Sequence, residues 1–254
     1  MDAFIIERRG LILSEEDREK ARNNPRITLE DADAVRQFSA NITAVMAGAE
    51  RNGEVAYRNR VLENAQIQGV TREFTDFSNY IAAAGRLMTR SEVDRHRNVV
   101  VLGSGTADRL FENLDPIDRR IKIQGVPFRV VGVSRPKGST FGRSQDEYAI
   151  IPLGSFRRLF GSRPSIQLQA QARNPSSMSV AVDEATVALR IERQLKATED
   201  NNFGLFTSDT ILGIYNQATT GIFSVLIGVV GLALVVAGIA VSYTHLTLPT
   251  ILLV

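Results

Sequence analysis

The stretch GIFSVLIGVVGLALVVAGIAV runs from Gly221 to Val241 without a charged residue. As a helix rising 1.5 Å per residue it covers about 31 Å, the thickness of a bilayer core. Apolar runs in the core helices of soluble proteins are generally shorter, about 10–14 residues. A chain carrying this run is therefore expected to cross a membrane there. Gly231, Gly238 and the Ala233/Ala237 pair offer small-residue surfaces for packing against other membrane helices. Almost everything before Gly221 is rich in charge and reads as a water-soluble domain.

Of the 254 residues, roughly 210 remain once the apolar end is set aside, enough for one large domain or two small ones. The formal net charge is +2, and the basic residues are nearly all arginines that do not cluster. That balance gives no footing for nucleic acid, and a solvated surface is the reading adopted. There is no cysteine, which excludes disulfides and thiolate metal sites and fits an extracytoplasmic domain that relies on its core. The opening MDAFIIERRGLILSEEDREK is charged from its second residue and has no signal-peptide pattern.

Local patterns alternate between helix and strand without a regular βα repeat, so the fold class expected is α+β. PRITLEDADAVRQF reads as a helix capped by Thr28, with Asp31 completing a capping box. A second box pairs Thr89 with Glu92 in MTRSEVDRHRN. Strands are expected near Ala44–Ala49, Glu54–Arg58 and Glu63–Val70, with a hairpin turn at Asn52-Gly53. NVVVLGS reads as a buried strand followed by a short helix in TADRLFEN. RRIKIQGVPFRVVGVSRP is a hairpin turning at Gly125, with Pro127 near the start of the return strand, where a missing N–H is tolerated. A polar Gly-rich loop, PKGSTFGRSQDE, precedes the strand YAIIPL and the helix GSFRRLFG. SIQLQAQA alternates strictly, SMSVAVDEATVALRIERQLKA is an amphipathic helix, and NFGLFTS is a last strand. Ser208 or Asp209 is then placed to cap a helix that continues into the membrane.

Five features could carry chemistry. Gly103-Ser104-Gly105 after a strand resembles the start of a dinucleotide fingerprint, but Asp108 occupies the third glycine position and would face a pyrophosphate. The turn is read instead as a tight strand-to-helix connection. Ser104 has no nearby base and no G-x-S-x-G frame. His96, between Arg95 and Arg97, has no partner at ligand spacing and reads as a surface residue. Asp146-Glu147 reads as a solvated loop rather than a cation site. Asn41-Ile42-Thr43 is a glycosylation sequon only where that machinery exists. No catalytic, cofactor-binding or metal-ligating residue is therefore assigned. The chain is expected not to be an enzyme, and no P-loop is present.

One family does match these residues. NVVVLGSGTADRLFENLDPIDRRIKIQGVPFRVVGVSRPKGSTFG, followed by DEYAIIPLGSFRRLFG, resembles the periplasmic core domain of MacB-type ABC transporter permeases. The matching positions are Val101–Gly103, Ala107 with Leu110 and Phe111, Asp115–Ile117, Ile121–Val133, Lys137–Gly142 and Ile151–Leu153. Asp118 departs from the family's glycine and leaves the conformation of that turn open. The resemblance implies a two-lobed extracytoplasmic domain. Its lobes would be a membrane-proximal one over 27–73 plus 154–206 and an inserted β-rich one over 74–153. Residues 1–26 would form a stalk leading in from the membrane, and 207–241 a stalk and transmembrane helix.

The resemblance further implies a permease of the MacB/FtsX type in the bacterial inner membrane, with residues about 1–208 outside the cytoplasm. ATP and Mg would be bound by a separate ATPase domain or subunit, so no cofactor is expected in this chain. A second permease chain, membrane lipid and a periplasmic adaptor are the partners implied. Substrates in the family range over macrolides, peptides, toxins and lipoproteins, and some members activate wall hydrolases. The alternative is a membrane-anchored binding or sensor module with the same ectodomain and no transport. Residues 242–254 depart from the family. SYTHLTLPT resembles the translation of an adapter used in transposase-based sequencing libraries, so a non-native tail and a frame truncated at both ends are expected.

Overall fold

The computed structural model describes residues 3–10, 15–77, 81–112, 114–140 and 143–251. It divides into two compact units, residues 1–206 and 207–254. The first begins with β1 (Ala3–Glu7), α1 (Glu15–Asn23), α2 (Leu29–Phe38), β2 (Ile42–Tyr57) and β3 (Arg60–Val70). After a 3-10 turn at Arg72–Asp76 come β4 (Ala82–Gly85), α3 (Arg90–Asp94), β5 (Val99–Leu102), α4 (Ser104–Phe111), β6 (Arg120–Ile123) and β7 (Val126–Ser134). A small hairpin of β8 (Ser139–Thr140) and β9 (Arg143–Ser144) leads to β10 (Tyr148–Pro152), α5 (Leu153–Phe160), β11 (Gln167–Ala172), α6 (Met178–Glu192) and β12 (Gly204–Phe206). The second unit is α7 (Ser208–Ile251).

One mixed sheet runs β12-β1-β11-β2-β3-β10-β5-β7-β4, with β6 bridging β2 and β7. The parallel β3–β10 ladder, from Gln66↔Tyr148 to Val70↔Pro152, ties the segments expected as inserted and flanking lobes into this single sheet. Mixed strand directions with helices packed irregularly make the unit α+β. Period-two patterning positions the first core. In β11 the glutamines face out while Leu168, Ala170 and Ala172 turn inward. They pack with Phe4, Ile6 and Val45 beneath α2 and α6. A second core of Val55, Ile67, Leu102, Phe111, Phe128 and Phe156 lies under α4 and α5. A third, on Met46, Val70, Phe74, Met88 and Tyr148, forms beside the segment that follows β3.

Two sequence expectations are corrected. The stalk expected over residues 1–26 begins instead with β1, which is inside the sheet between β11 and β12 and buries Phe4 and Ile6 completely. The hairpin turn is not at Asn52-Gly53. β2 passes straight through that dipeptide, with a bulge between Gly53 and Val55, and the turn falls at Arg58-Asn59, closed by the Tyr57↔Arg60 pair. Gly53 has a packing reason rather than a turning one. A Cβ there would come within 2.5 Å of Gln124 Nε2 and 2.8 Å of Ile67 Cδ1. At the start of α7, Thr207 Oγ1 accepts from Thr210 N at 3.1 Å, while the side chains of Ser208 and Asp209 lie outside the described residues.

The β6–β7 turn forms as expected, with Gln124 and Gly125 both at positive φ, the twist a two-residue hairpin requires. Asp118 adopts φ 59°, the left-handed region that the family's glycine occupies without cost and that Asp tolerates better than most residues. Its N–H donates to Val130 O at 2.9 Å, so the turn is kept.

Both capping boxes are present. In the second, Arg86 donates to both oxygens of Glu92 at 2.7 and 2.8 Å, and Thr89 N donates at 2.9 Å. The Arg86 hydrogen bonds, more than any other contact, hold the Glu92 carboxyl down to about 2, from an ordinary 4.5. A depressed folded-state value means the stabilisation is complete above pH 4.5 and is lost as pH falls from 4.5 toward 2. Glu92→Gln is expected to lower the urea midpoint at neutral pH, with the gap to the parent closing by about pH 2. A gap independent of pH would show that the carboxylate contributes nothing through its charge.

Candidate functional site

The glycine turn after β5 is closed to a ligand by the protein's own backbone. Gly103 caps α4, and a Cβ on it would lie 2.2 Å from Asp146 O. Gly103 N donates to Tyr148 O at 2.8 Å, and Thr106 N donates to Asp146 O at 3.2 Å. The first-turn donor that a pyrophosphate would use is engaged, and the segment leading into β10 fills the place of the phosphates. The residues do not fit a dinucleotide. The glycines serve close strand–helix approach, with Asp108 exposed on the outer side of α4.

Asp146 and Glu147 point to different tasks. Asp146 is buried and accepts from Lys137 N at 2.6 Å and Gly138 N at 2.9 Å, pinning the loop before β8. Glu147 is exposed and pairs with Arg109 at 2.7 Å. Burial pushes the Lys137 ammonium down, with Asp146 opposing, and its Nζ lies 5.4 Å from the Tyr148 ring centre. Phe141 and Gly142, the end of the K-G-S-x-F-G match, lie outside the described residues.

His96 is exposed at the end of α3, as its charged neighbours imply. Its ring covers the backbone at Gly154, where a Cβ would come within 2.1 Å of Nδ1. Its carbonyl accepts from Ser155 Oγ at 3.0 Å and Arg158 Nη2 at 2.8 Å. Asn41 is tied to Glu184 by its backbone N–H at 2.9 Å and its side-chain amide at 2.7 Å. The Asn41 N–H, first among several contacts, holds the Glu184 carboxyl below its ordinary range. A glycan on Asn41 would break that clamp.

What the fold does assemble is a cleft of about 320 Å³ between α2, α3, α5 and the turn after β3. Leu29, Ala32, Val93 and Leu153 supply its apolar wall. Glu73 supplies an acceptor. Its Oε1 lies 3.3 Å from Arg36 Nη2 and 3.2 Å from Arg72 Nε, and its Oε2 is buried without a hydrogen-bond partner among the described residues. The cleft can hold an apolar group bearing a donor, but it brings together no nucleophile with a base.

A second constellation escaped the sequence reading. Arg193, at the end of α6, grips Asp31 of α2 through Nε–Oδ1 at 2.9 Å and Nη2–Oδ2 at 2.8 Å, with side chains only 8% and 4% exposed. It also donates to Asn202 Oδ1 at 2.8 Å and lies 5.5 Å from the Phe203 ring centre. The only sequence signal is Asp31 itself, which serves Thr28's capping box and the guanidinium together.

In the second unit, Thr219–Ser242 is a 24-residue apolar stretch whose most apolar 18 residues have a mean hydropathy of 2.8, with none of them buried. Its apolar side chains have no protein to cover them, which is the condition of a helix solvated by lipid. The molecule is thus of a definite class: an α+β domain without a catalytic constellation among its described residues, joined to a helix long and apolar enough to cross a membrane.

Comparison with known proteins places it within that class. The profile of the MacB-like periplasmic core domain matches residues 2–194. The chain belongs to this family. It is 30% identical over 230 residues to the macrolide export ATP-binding/permease protein MacB of Hyphomonas neptunium, a match covering 85% of this chain and 33% of that protein. The corresponding protein of Chlorobaculum tepidum is 27% identical over 181 residues, covering 71% of this chain and 28% of the relative. The chain therefore spans about a third of the length of these curated relatives. In fold it is similar to the periplasmic region of MacB from Actinobacillus actinomycetemcomitans. That match has a TM-score of 0.69 at 21% identity, covering 85% of this chain and 93% of that structure. The extracellular domain of the noncanonic ABC-type transporter YknZ from Gram-positive bacteria matches with a TM-score of 0.64 at 14% identity, covering 81% and 100%.

Proposed function

We propose that this chain is the extracytoplasmic domain and one membrane helix of a MacB/FtsX-type permease that moves when a partner ATPase cycles. ATP and Mg would be bound by that ATPase, a separate domain or subunit. A second permease chain would complete the transporter in the bacterial cytoplasmic membrane, and a periplasmic adaptor is a further partner. Efflux or release of a macrolide, peptide or lipoprotein is the class of task the family supports.

The observation that carries the coupling is the connection at Thr207. A single residue stands between the last strand and a 44-residue helix, and its hydroxyl caps that helix. A continuous helix transmits displacement, whereas a flexible linker absorbs it. The described course of α7 has no break, and its glycines, at 213, 221, 228, 231 and 238, are the points of least side-chain support.

The test is a flexible Gly/Ser insert between Thr207 and Ser208 in the transporter reconstituted with its ATPase. Spin labels at Asn59→Cys in the two permease chains should report an ATP-dependent distance change in the parent, lost in the insert variant while ATP hydrolysis continues. A change that survives the insert contradicts the lever, and none in the parent contradicts the coupling. We propose also that residues 242–254 are non-native. Resequencing the locus without a transposase adapter should recover a basic loop in their place, and recovering the codons for SYTHLTLPT would refute this.

A further inference from the structure

A groove of about 580 Å³ opens where β1 and β2 pass the connection from α5 to β11. Five guanidiniums line it, those of Arg8, Arg9, Arg26, Arg51 and Arg163, against two carboxylates, Glu7 and Glu50. None of the five joins an ion pair among the described residues, although arginines elsewhere on the domain repeatedly do. Arg8, Arg26 and Arg51 donate to backbone carbonyls, at 2.6, 2.7 and 3.4 Å, which orients them and leaves their charge uncompensated. The two carboxylates are occupied by neutral amides. Gln167 donates to Glu7 at 2.6 Å and Gln66 donates to Glu50 at 2.8 Å. Burial first, and then repulsion from Glu50, raises the Glu7 carboxyl.

The groove has an apolar side as well. Phe160 and Pro164 are half-buried on it, backed by two buried side chains, Ile166 and Phe156, whose ring centre lies 4.7 Å from that of Phe160. A second hollow of about 200 Å³ shares Arg26, Arg163, Pro164 and Ile166 and adds Leu29, Glu30 and Arg157. The two hollows adjoin at these four shared residues. A flat membrane cannot enter a groove of this shape, and its apolar side has no use in binding free phosphate. An extended chain with alternating acidic and apolar side chains matches both the charge and the floor.

We propose that this groove docks an acidic, extended segment of a partner protein. The proposal goes beyond the permease reading and is independent of which substrate the transporter moves.

The test uses the full chain in phosphatidylcholine nanodiscs and a fluorescein-labelled Asp-Glu-Phe-Asp-Glu peptide, with Lys-Arg-Phe-Lys-Arg as the charge-reversed control. The acidic peptide should raise fluorescence anisotropy at about 0.05 M NaCl and lose most of its binding at about 0.5 M, where exposed charges are screened. Arg9→Glu combined with Arg163→Glu removes two exposed side chains that hydrogen-bond to nothing among the described residues, and it should weaken binding about tenfold. Arg95→Glu, on the end of α3, should leave it unchanged. Binding of the basic peptide, equal weakening by Arg95→Glu, or no weakening by the double variant would overturn the proposal. So would adsorption to phosphatidylglycerol vesicles without peptide binding.

Discussion

Replacing Arg193 with methionine is expected to destabilise the 1–206 unit by about 3–5 kcal/mol, the cost of leaving a buried charge without its partner. The loss does not come mainly from the attraction itself, because two charges taken out of water forfeit most of what their pairing returns. It comes from Asp31, whose side chain is 4% exposed and would be left with only the N–H and hydroxyl of Thr28 to satisfy it. The carbonyl and amide of Asn202, now bound by Arg193, would lose their donor as well. Urea denaturation of the chain in detergent micelles should show the drop. Adding Asp31→Leu to the methionine variant should recover a large part of it, although the first capping box is lost. A double variant no better than the single one would show that burial of the carboxylate is not the cause.

Gly103→Ala should cost about 3 kcal/mol, at the upper end for an overpacked site. The new Cβ would meet Asp146 O at 2.2 Å, and that oxygen is backbone held by the Thr106 N–H, so no side chain can swing aside. Gly105→Ala is the internal comparison. Its nearest contact is the same oxygen at 3.2 Å, and it should cost much less. If Gly103→Ala matched the parent, the strand leading into β10 would not lie against this turn, and the exclusion of a nucleotide would fail with it.

These two sites also show where sequence reasoning stops. The strict alternation in β11, the Gly125 hairpin and both capping boxes are local patterns, and each formed where the pattern placed it. Burial of alternate side chains or a hydroxyl three residues from an N–H is decided within a few positions. β1 does not stand out in the sequence because its five residues lie between Asp2 and Arg8-Arg9, too few for alternation to show against those charged flanks. The hairpin turn was misplaced because Asn-Gly is the strongest local turn signal. At Asn52-Gly53 the glycine instead answers crowding from Ile67 and Gln124, while Arg58 takes the positive φ of the turn at 52°.

Long-range chemistry was not legible at all. Asp31 and Arg193 are 162 positions apart, and nothing near either one announces the other. The cleft at Glu73 draws its walls from α2, α3 and α5, so no single segment carries its signature. The apolar stretch was legible because hydropathy sums over one continuous segment, and Gly221–Val241 falls inside the single helix α7, within its candidate span Thr219–Ser242.

The central claim is that the folded unit works outside the cytoplasm, and one thiol tests it. The sequence has no cysteine, so Asn59→Cys, in the exposed turn between β2 and β3, would be the only one contributed by this chain. With that substitution in the gene at its native locus, a membrane-impermeant maleimide should label the protein in intact cells, without lysis. Labelling that occurs only after the membrane is opened would place the domain on the cytoplasmic side and contradict the account.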